Sequence, residues 1–217
     1  MANQSGSIYG LTILSPIIDD AKTDISHDCA IREYLACLPR DNRSPFAVLS
    51  STHLARLVVM DDVIFVGTPA REEHLQSKYL VFESNLDGDL DTYLTRMATE
   101  IPEMVNAVWS HCYGYPGTQN VQAFIAYMKK CQIDTTFFFA DVNNQTVRST
   151  LRALKVQASV AEFIGSHQGK SPEQLLAGFR AFYANVEKMP DPEPGHPQAP
   201  GTHQAIPLQK TMAARHG

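Results

Sequence analysis

The sequence predicts an α+β protein built on an antiparallel sheet, and three observations carry that expectation. Stretches with period-two alternation or β-branched and aromatic enrichment lie at residues 8–17, 52–60, 79–84 and 104–112. Two amphipathic helical patterns fall between them, after the first strand and after the third. The resulting order β, α, β, β, α, β places both helices on one face of the sheet, the split βαβ arrangement.

The most informative stretch is Lys78 to Ile101, a strand that runs into a helix through a carboxylate-rich turn. Tyr79 to Ser84 forms the strand, bounded by Asn85, Asp87 and Gly88. Leu90, Leu94, Met97, Ala98 and Ile101 then recur at helical spacing up to Pro102. Asp87, Asp89 and Asp91 sit where free amides and the positive end of the helix dipole favour negative charge, so capping accounts for them. The competing assignment is a paired-carboxylate acid/base or metal site, although nothing nearby supplies a further ligand at metal-binding spacing.

The remaining elements follow in order. Ile8 to Ile17 is the first strand, with Tyr9, Leu11 and Ile13 on one face. Ser26 to Leu38 carries the stripe Ile31, Tyr34, Leu35 and Leu38, and Pro39 ends that helix. Residues 40–51 form a loop from which Phe46 and Leu49 tuck back onto the core, and Thr52 to Met60 is the second strand. Val63 to Ser77 mixes a short apolar run with a polar excursion. Met104 to Cys112 alternates as the fourth strand, and Tyr113 to Gly117 is turn chemistry.

Beyond it an αβα extension is expected. Asn120 caps a helix bearing Val121, Phe124, Ile125 and Met128, Thr135 to Val142 is a fifth strand buried on both faces, and Asn143 or Asn144 caps a long helix closed by Gly165. A last helix starts at Ser171-Pro172-Glu173-Gln174, a capping box with proline in the first turn. The expected organisation is a domain at 1–165, a C-terminal amphipathic helix at 166–189 and a disordered Pro/Gly-rich tail at 190–217.

Composition narrows the function classes. With 18 basic and 23 acidic residues there is no global field to draw nucleic acid or an anionic membrane. Cys29, Cys37, Cys112 and Cys131 make no CxxC and no zinc spacing, so reduced thiols, a cytoplasmic setting and no metal site are expected. No window approaches the roughly 18 to 20 apolar residues that span a bilayer. Phosphate-binding glycine loops, GxSxG and HExxH are absent from the sequence.

Candidate site residues are therefore argued singly. Arg56 shares an apolar strand face with Leu54 and Val58, where a guanidinium needs a carboxylate or an anionic ligand; Glu83 and Asp87 are the first partners to consider. His53, on the opposite face by the period-two rule, is a general-base or ligand candidate, against a satisfied structural histidine. His111, beside the aromatic turn, is a candidate pocket lip and axial ligand, and Trp109 and Tyr115 are candidate ligand-lining aromatics.

The runs LTILSPI, CLPR, SPFAVLSSTHLARLVVMDD, YLVFESNLDGDLDTYL and HCYGYPG, over residues 8–165, resemble a bacterial group in the ferredoxin-like dimeric α+β barrel superfamily. That group is similar in plan to the half-domains of dye-decolorising peroxidases and chlorite dismutases. The resemblance implies a homodimer whose sheets pack face to face, a small-molecule pocket, and oxidoreductase chemistry that is haem-linked or cofactor-independent. The aspartate and arginine arrangement and the proximal histidine of those peroxidases have no counterpart here. The group has no settled activity, so a non-catalytic binding or accessory interaction module stands as the alternative.

Overall fold

In the computed structural model, the described residues are 3–20, 24–64, 67, 73–142, 144–192 and 194. They form a four-stranded antiparallel sheet with helices, in the order β1 (Gln4–Ser5), β2 (Ile8–Pro16), α1 (His27–Cys37), α2 (Pro45–Val48), β3 (Thr52–Met60), β4 (Tyr79–Asp87), α3 (Leu90–Glu100), α4 (Pro102–Trp109), α5 (Val121–Lys130), α6 (Val147–Ser166) and α7 (Pro172–Glu187). The α+β class, the antiparallel sheet, the additional helices and the C-terminal helix are those the sequence predicts. Strand order is β1-β2-β4-β3. The sheet is open; it does not close into a barrel.

Two units are compact. Of the described residues, one comprises 3–152 with 191–192 and 194, the other 153–190. In the first, alternate residues of β2 and β4 (Leu11, Ile13, Leu80, Phe82, Leu86) are buried with Leu94 and Met97 of α3, Val105, Val108 and Trp109 of α4, and Phe124 and Met128 of α5. Trp109 meets Phe82 edge to face at 5.4 Å, and Phe46 stacks on the same ring at 5.9 Å. Phe46 and fully buried Leu49 thus tuck back as expected. Asp89 caps α3 by accepting from the Thr92 amide at 2.9 Å, which settles that acid as a cap.

Residues 104–112 are not the fourth strand. Met104, Val105, Val108 and Trp109 are buried at helical spacing, and Pro102 opens α4 at a position where its missing N–H costs nothing. The place beside β2 is filled piecemeal: Gln4 and Ser5 pair with Tyr9 and Ile8, Ile133 donates to Thr12 O, Leu14 donates to Cys131 O, and Tyr113 donates to Pro16 O. The expected fifth strand at 135–142 forms no ladder; it is irregular chain with a bend at Thr136 and a turn at Asp141 and Val142. Phe137 and Phe139 are 82% and 68% exposed, and only Phe138 packs, over Gly10. Gly165 does not end the long helix; α6 continues to Ser166, and Gly169 takes the left-handed φ of 74°. Asn143, most of residues 65–72 and all but residues 190–192 and 194 of the tail lie outside the described residues.

In the second unit, α7 begins with the full capping box of Ser171 and Gln174 and with Pro172 at its first position. Phe163 of α6 stacks on His167 at 4.1 Å and contacts Phe179 and Phe182 of α7. Among the described residues no helix is long and apolar enough to cross a membrane.

A Cβ at Gly10 would lie 2.9 Å from the Phe138 ring. Gly10→Ala is therefore expected to destabilise the protein by about 1–3 kcal/mol, and much less in a Phe138→Ala background. Chemical denaturation of the four species gives that coupling directly.

Candidate functional site

Hydrogen-bond parity in the sheet decides which backbone groups remain available. β2 turns the even-numbered residues Gly10, Thr12, Leu14 and Pro16 outward, towards residues 3, 131–133 and 113. In an antiparallel ladder the bonds alternate, so β2 uses its odd residues on β4, and β4 uses Leu80, Phe82, Ser84 and Leu86 on β2. Its other set, Tyr79, Val81, Glu83 and Asn85, then faces Met60, Val58, Arg56 and Leu54 of β3. The backbone groups of Ala55, Leu57 and Val59 are left pointing away from the sheet. The Arg32 guanidinium, which reaches the Val59 carbonyl at 3.4 Å from outside, fits this assignment. No other described residue bonds the backbone of residues 55–59 from that side.

Along this open edge runs a groove of about 780 Å³. Leu35 of α1, Leu38 at its C-cap and Phe46 of α2 form one wall, and the half-buried side chains of Ala55, Leu57 and Val59 form the floor. Leu54 and Val58, 54% and 43% exposed, stand on the other sheet face and form the opposite rim. Arg32, Arg40, Asp41 and His53 supply its ionisable lining.

The residues proposed from sequence fall in separate places. The register of β3 on β4 shifts between Thr52 and Leu54, a bulge at His53. Two consecutive residues there oppose one on β4, so His53 joins Leu54 and Arg56 on the outer face, contrary to the simple alternation expected. His53 Nε2 lies 2.7 Å from Asp87 Oδ1. Asp87 Oδ2 accepts from the Val147 amide at 2.8 Å, placing its charge on the first turn of α6. Arg56 is opposite Glu83, with Nε 2.7 Å from Oε2; its side chain is 63% exposed, so no unpaired buried charge arises. The partner named first for Arg56 is the one it takes.

Trp109 is fully buried in the core and lines no described pocket. Tyr115 donates to Asn106 Oδ1 at 2.8 Å and packs edge-on against Phe124 and Tyr127; burial pushes its phenol well above the ordinary range. Burial also pushes the Cys112 thiol up to about 12, with the neighbouring Cys131 adding to it. All four cysteines are free thiols, and no described His, Cys, Asp and Glu residues cluster as a metal site.

His111 pairs with a residue the sequence did not point to. His27, the first residue of α1, places its Nδ1 2.8 Å from His111 Nδ1, and its Nε2 lies 3.4 Å from Asp20 Oδ1. A hydrogen bond between two such nitrogens needs one of them unprotonated. Burial first, and the His27 charge second, hold His111 below its ordinary value. The pair clamps the start of α1 to the turn after α4, whose His111 carbonyl also accepts from the Ile18 amide at 2.9 Å.

Compared with protein-family models, with curated proteins and with solved structures, the chain matches none. This finding and the open sheet overturn the resemblance to the dimeric α+β barrels. Haem-linked and cofactor-independent oxidoreductase chemistry entered only through that resemblance and loses its ground with it. The face-to-face homodimer loses its ground as well. The outer sheet face carries the Arg56–Glu83 pair in its middle, flanked by Thr12 and Asn85, and Phe138 already covers Gly10.

The His111 geometry has a pH signature. A histidine whose folded-state pKa is depressed leaves the unfolded state to bind the proton first, so stability falls as pH drops through the ordinary value of 6.5. Thermal unfolding at pH 7.5 and 5.5 and constant ionic strength should show a smaller loss on acidification for His111→Gln than for the wild type.

Proposed function

We propose that the protein is a non-catalytic interaction module that binds an extended peptide segment by strand addition to β3. The observation that carries this reading is the outward-facing backbone of Ala55, Leu57 and Val59 beside an apolar groove. An incoming strand takes up N–H and C=O groups that, apart from the Val59 carbonyl reached by Arg32, no described residue bonds, and its alternate side chains divide between two surfaces. One set enters the groove between Leu35, Leu38 and Phe46; the other lies against Leu54 and Val58. A partner with apolar residues at every second position meets both.

The edge itself supports the reading. Natural sheets blunt exposed edges with proline, with charge or with bulges. Residues 55–59 contain no proline, and the one charged side chain there, Arg56, is engaged by Glu83. The bulge at His53 disturbs pairing only at the start of the strand.

Proline is tolerated on an edge strand where its missing N–H would have faced solvent. Ala55→Pro is therefore expected to keep the fold and to weaken binding of an amidated peptide of alternating Thr and Val by about tenfold or more, read by fluorescence anisotropy. N-methylation of alternate peptide amides should do the same without touching the protein. The groove volume also suits a small apolar ligand. Such a ligand has no use for the Ala55 amide, so saturable binding unaffected by Ala55→Pro would favour it over strand addition.

A further inference from the structure

On the strand-addition reading, we infer that the segment recognised is acidic, carrying an Asp or Glu side chain that meets Arg40. Three of the four ionisable groups lining the groove are already engaged. Arg32 lies 2.6 Å from Asp61 Oδ2 and also reaches the Val59 carbonyl. Asp41 is gripped by Arg43 through Nε at 3.0 Å and Nη2 at 2.7 Å, which holds its carboxyl down to about 2. His53 is bonded to Asp87. Arg40 makes no ion pair or hydrogen bond with any described residue, which leaves the groove one uncompensated positive charge.

The place of Arg40 in the chain gives that charge a use. It belongs to the segment that leads through α2 into β3, and the turn closes where the Thr52 amide donates to Leu49 O at 2.9 Å. The ladder open to a partner stops at Ala55, before the bulge at His53. A strand docked on residues 55–59 and continuing towards Thr52 and His53 runs past its last backbone bond along the groove that Arg40 also lines. Beyond that point affinity comes from side chains, and a guanidinium is matched best by a carboxylate that accepts two parallel hydrogen bonds. Docking also strips water from the groove wall, so a partner without an acid leaves Arg40 less well satisfied and a basic one is repelled.

The test uses the full chain and three N-terminally labelled peptides bearing an uncharged fluorophore. Glu-Ser-Val-Thr-Ile-Thr-Val-Ser-Glu, amidated, is compared with the version carrying Gln at both ends, also amidated, and with that Gln version ending in a free carboxylate. The acids stand at both ends so that either strand direction presents one to Arg40. Anisotropy titrations at low salt should show the Glu peptide binding about fivefold tighter than the amidated Gln peptide, a preference lost in Arg40→Gln and reduced in 0.5 M salt. Equal affinities, or a preference that survives Arg40→Gln, overturn the inference. A Gln peptide with a free carboxylate that binds as well as the Glu peptide, through Arg40, overturns the choice of a side chain over a chain terminus. If all peptides bind alike and all are lost in Ala55→Pro, strand addition stands and the acidic preference falls. If none binds, or Ala55→Pro and peptide N-methylation change nothing, strand addition itself fails.

Discussion

Backbone hydrogen-bond satisfaction across β4 is the constraint on which the rest of the structure depends. β4 is central and uses its residues alternately on β2 and β3. That parity fixes which residues of the flanking strands must find partners elsewhere. β2 finds them in three unrelated segments: residues 3–5, the chain after α5 and the turn after α4. Among the described residues, β3 finds only Arg32, at its far end. One edge is closed by patchwork and the other is open over its middle, and the difference between them is what makes a functional site arguable at all.

The core side is fastened independently of that edge. The Tyr93 hydroxyl of α3 lies 3.0 Å from Ser84 Oγ on β4 and 3.2 Å from Thr52 Oγ1 on β3, so a buried phenol joins both strands beneath the bulge. At the other end, Asp28 of α1 accepts from Lys78 at 2.6 Å, and Arg32 and Lys78 share Asp61. The Lys78 hydrogen bond helps hold the Asp28 carboxyl below its usual range against the opposing effect of burial. α1 is thereby held along β3 at a spacing that leaves a groove between them. The pairs with Asp61 are substantially exposed and contribute position more than stability, whereas the Asp28 carboxylate is buried.

Much of this was legible from the residues. β2 and β3 follow from period-two runs, α3 and α7 from caps and apolar stripes, and the Arg56–Glu83 pair from asking what a guanidinium on a strand needs. Where the reading failed, a pattern fitted two periods. Met104, Val105, Val108 and Trp109 satisfy helical spacing, yet MVNAVWSHC also alternates well enough to pass for a strand; Pro102 was the signal that decides between them. Phe137 to Phe139 looked buried because the sequence does not say that no strand lies alongside. The bulge at His53 depends on pairing with residues 31 to 34 positions away on the partner strand, and the His27–His111 contact spans 84 residues. Neither distance leaves a trace in local spacing.

The groove was the least legible feature, and the reason is physical. Its floor is made from backbone groups, which every residue carries, and its walls from Leu35, Leu38 and Phe46, which read as ordinary core positions. What distinguishes them is that no described strand pairs with β3 on that side, a property of topology and not of composition. Arg40 likewise looked like one loop cation among several. It stands out only when Arg32, Arg43 and Arg56 are each seen to hold a carboxylate while it holds none among the described residues. On the proposed strand addition, residues of unremarkable identity would carry recognition: ladder parity would select the strand, the helix spacing the apolar side chains, and the groove's uncompensated charge among the described residues the sign of the partner.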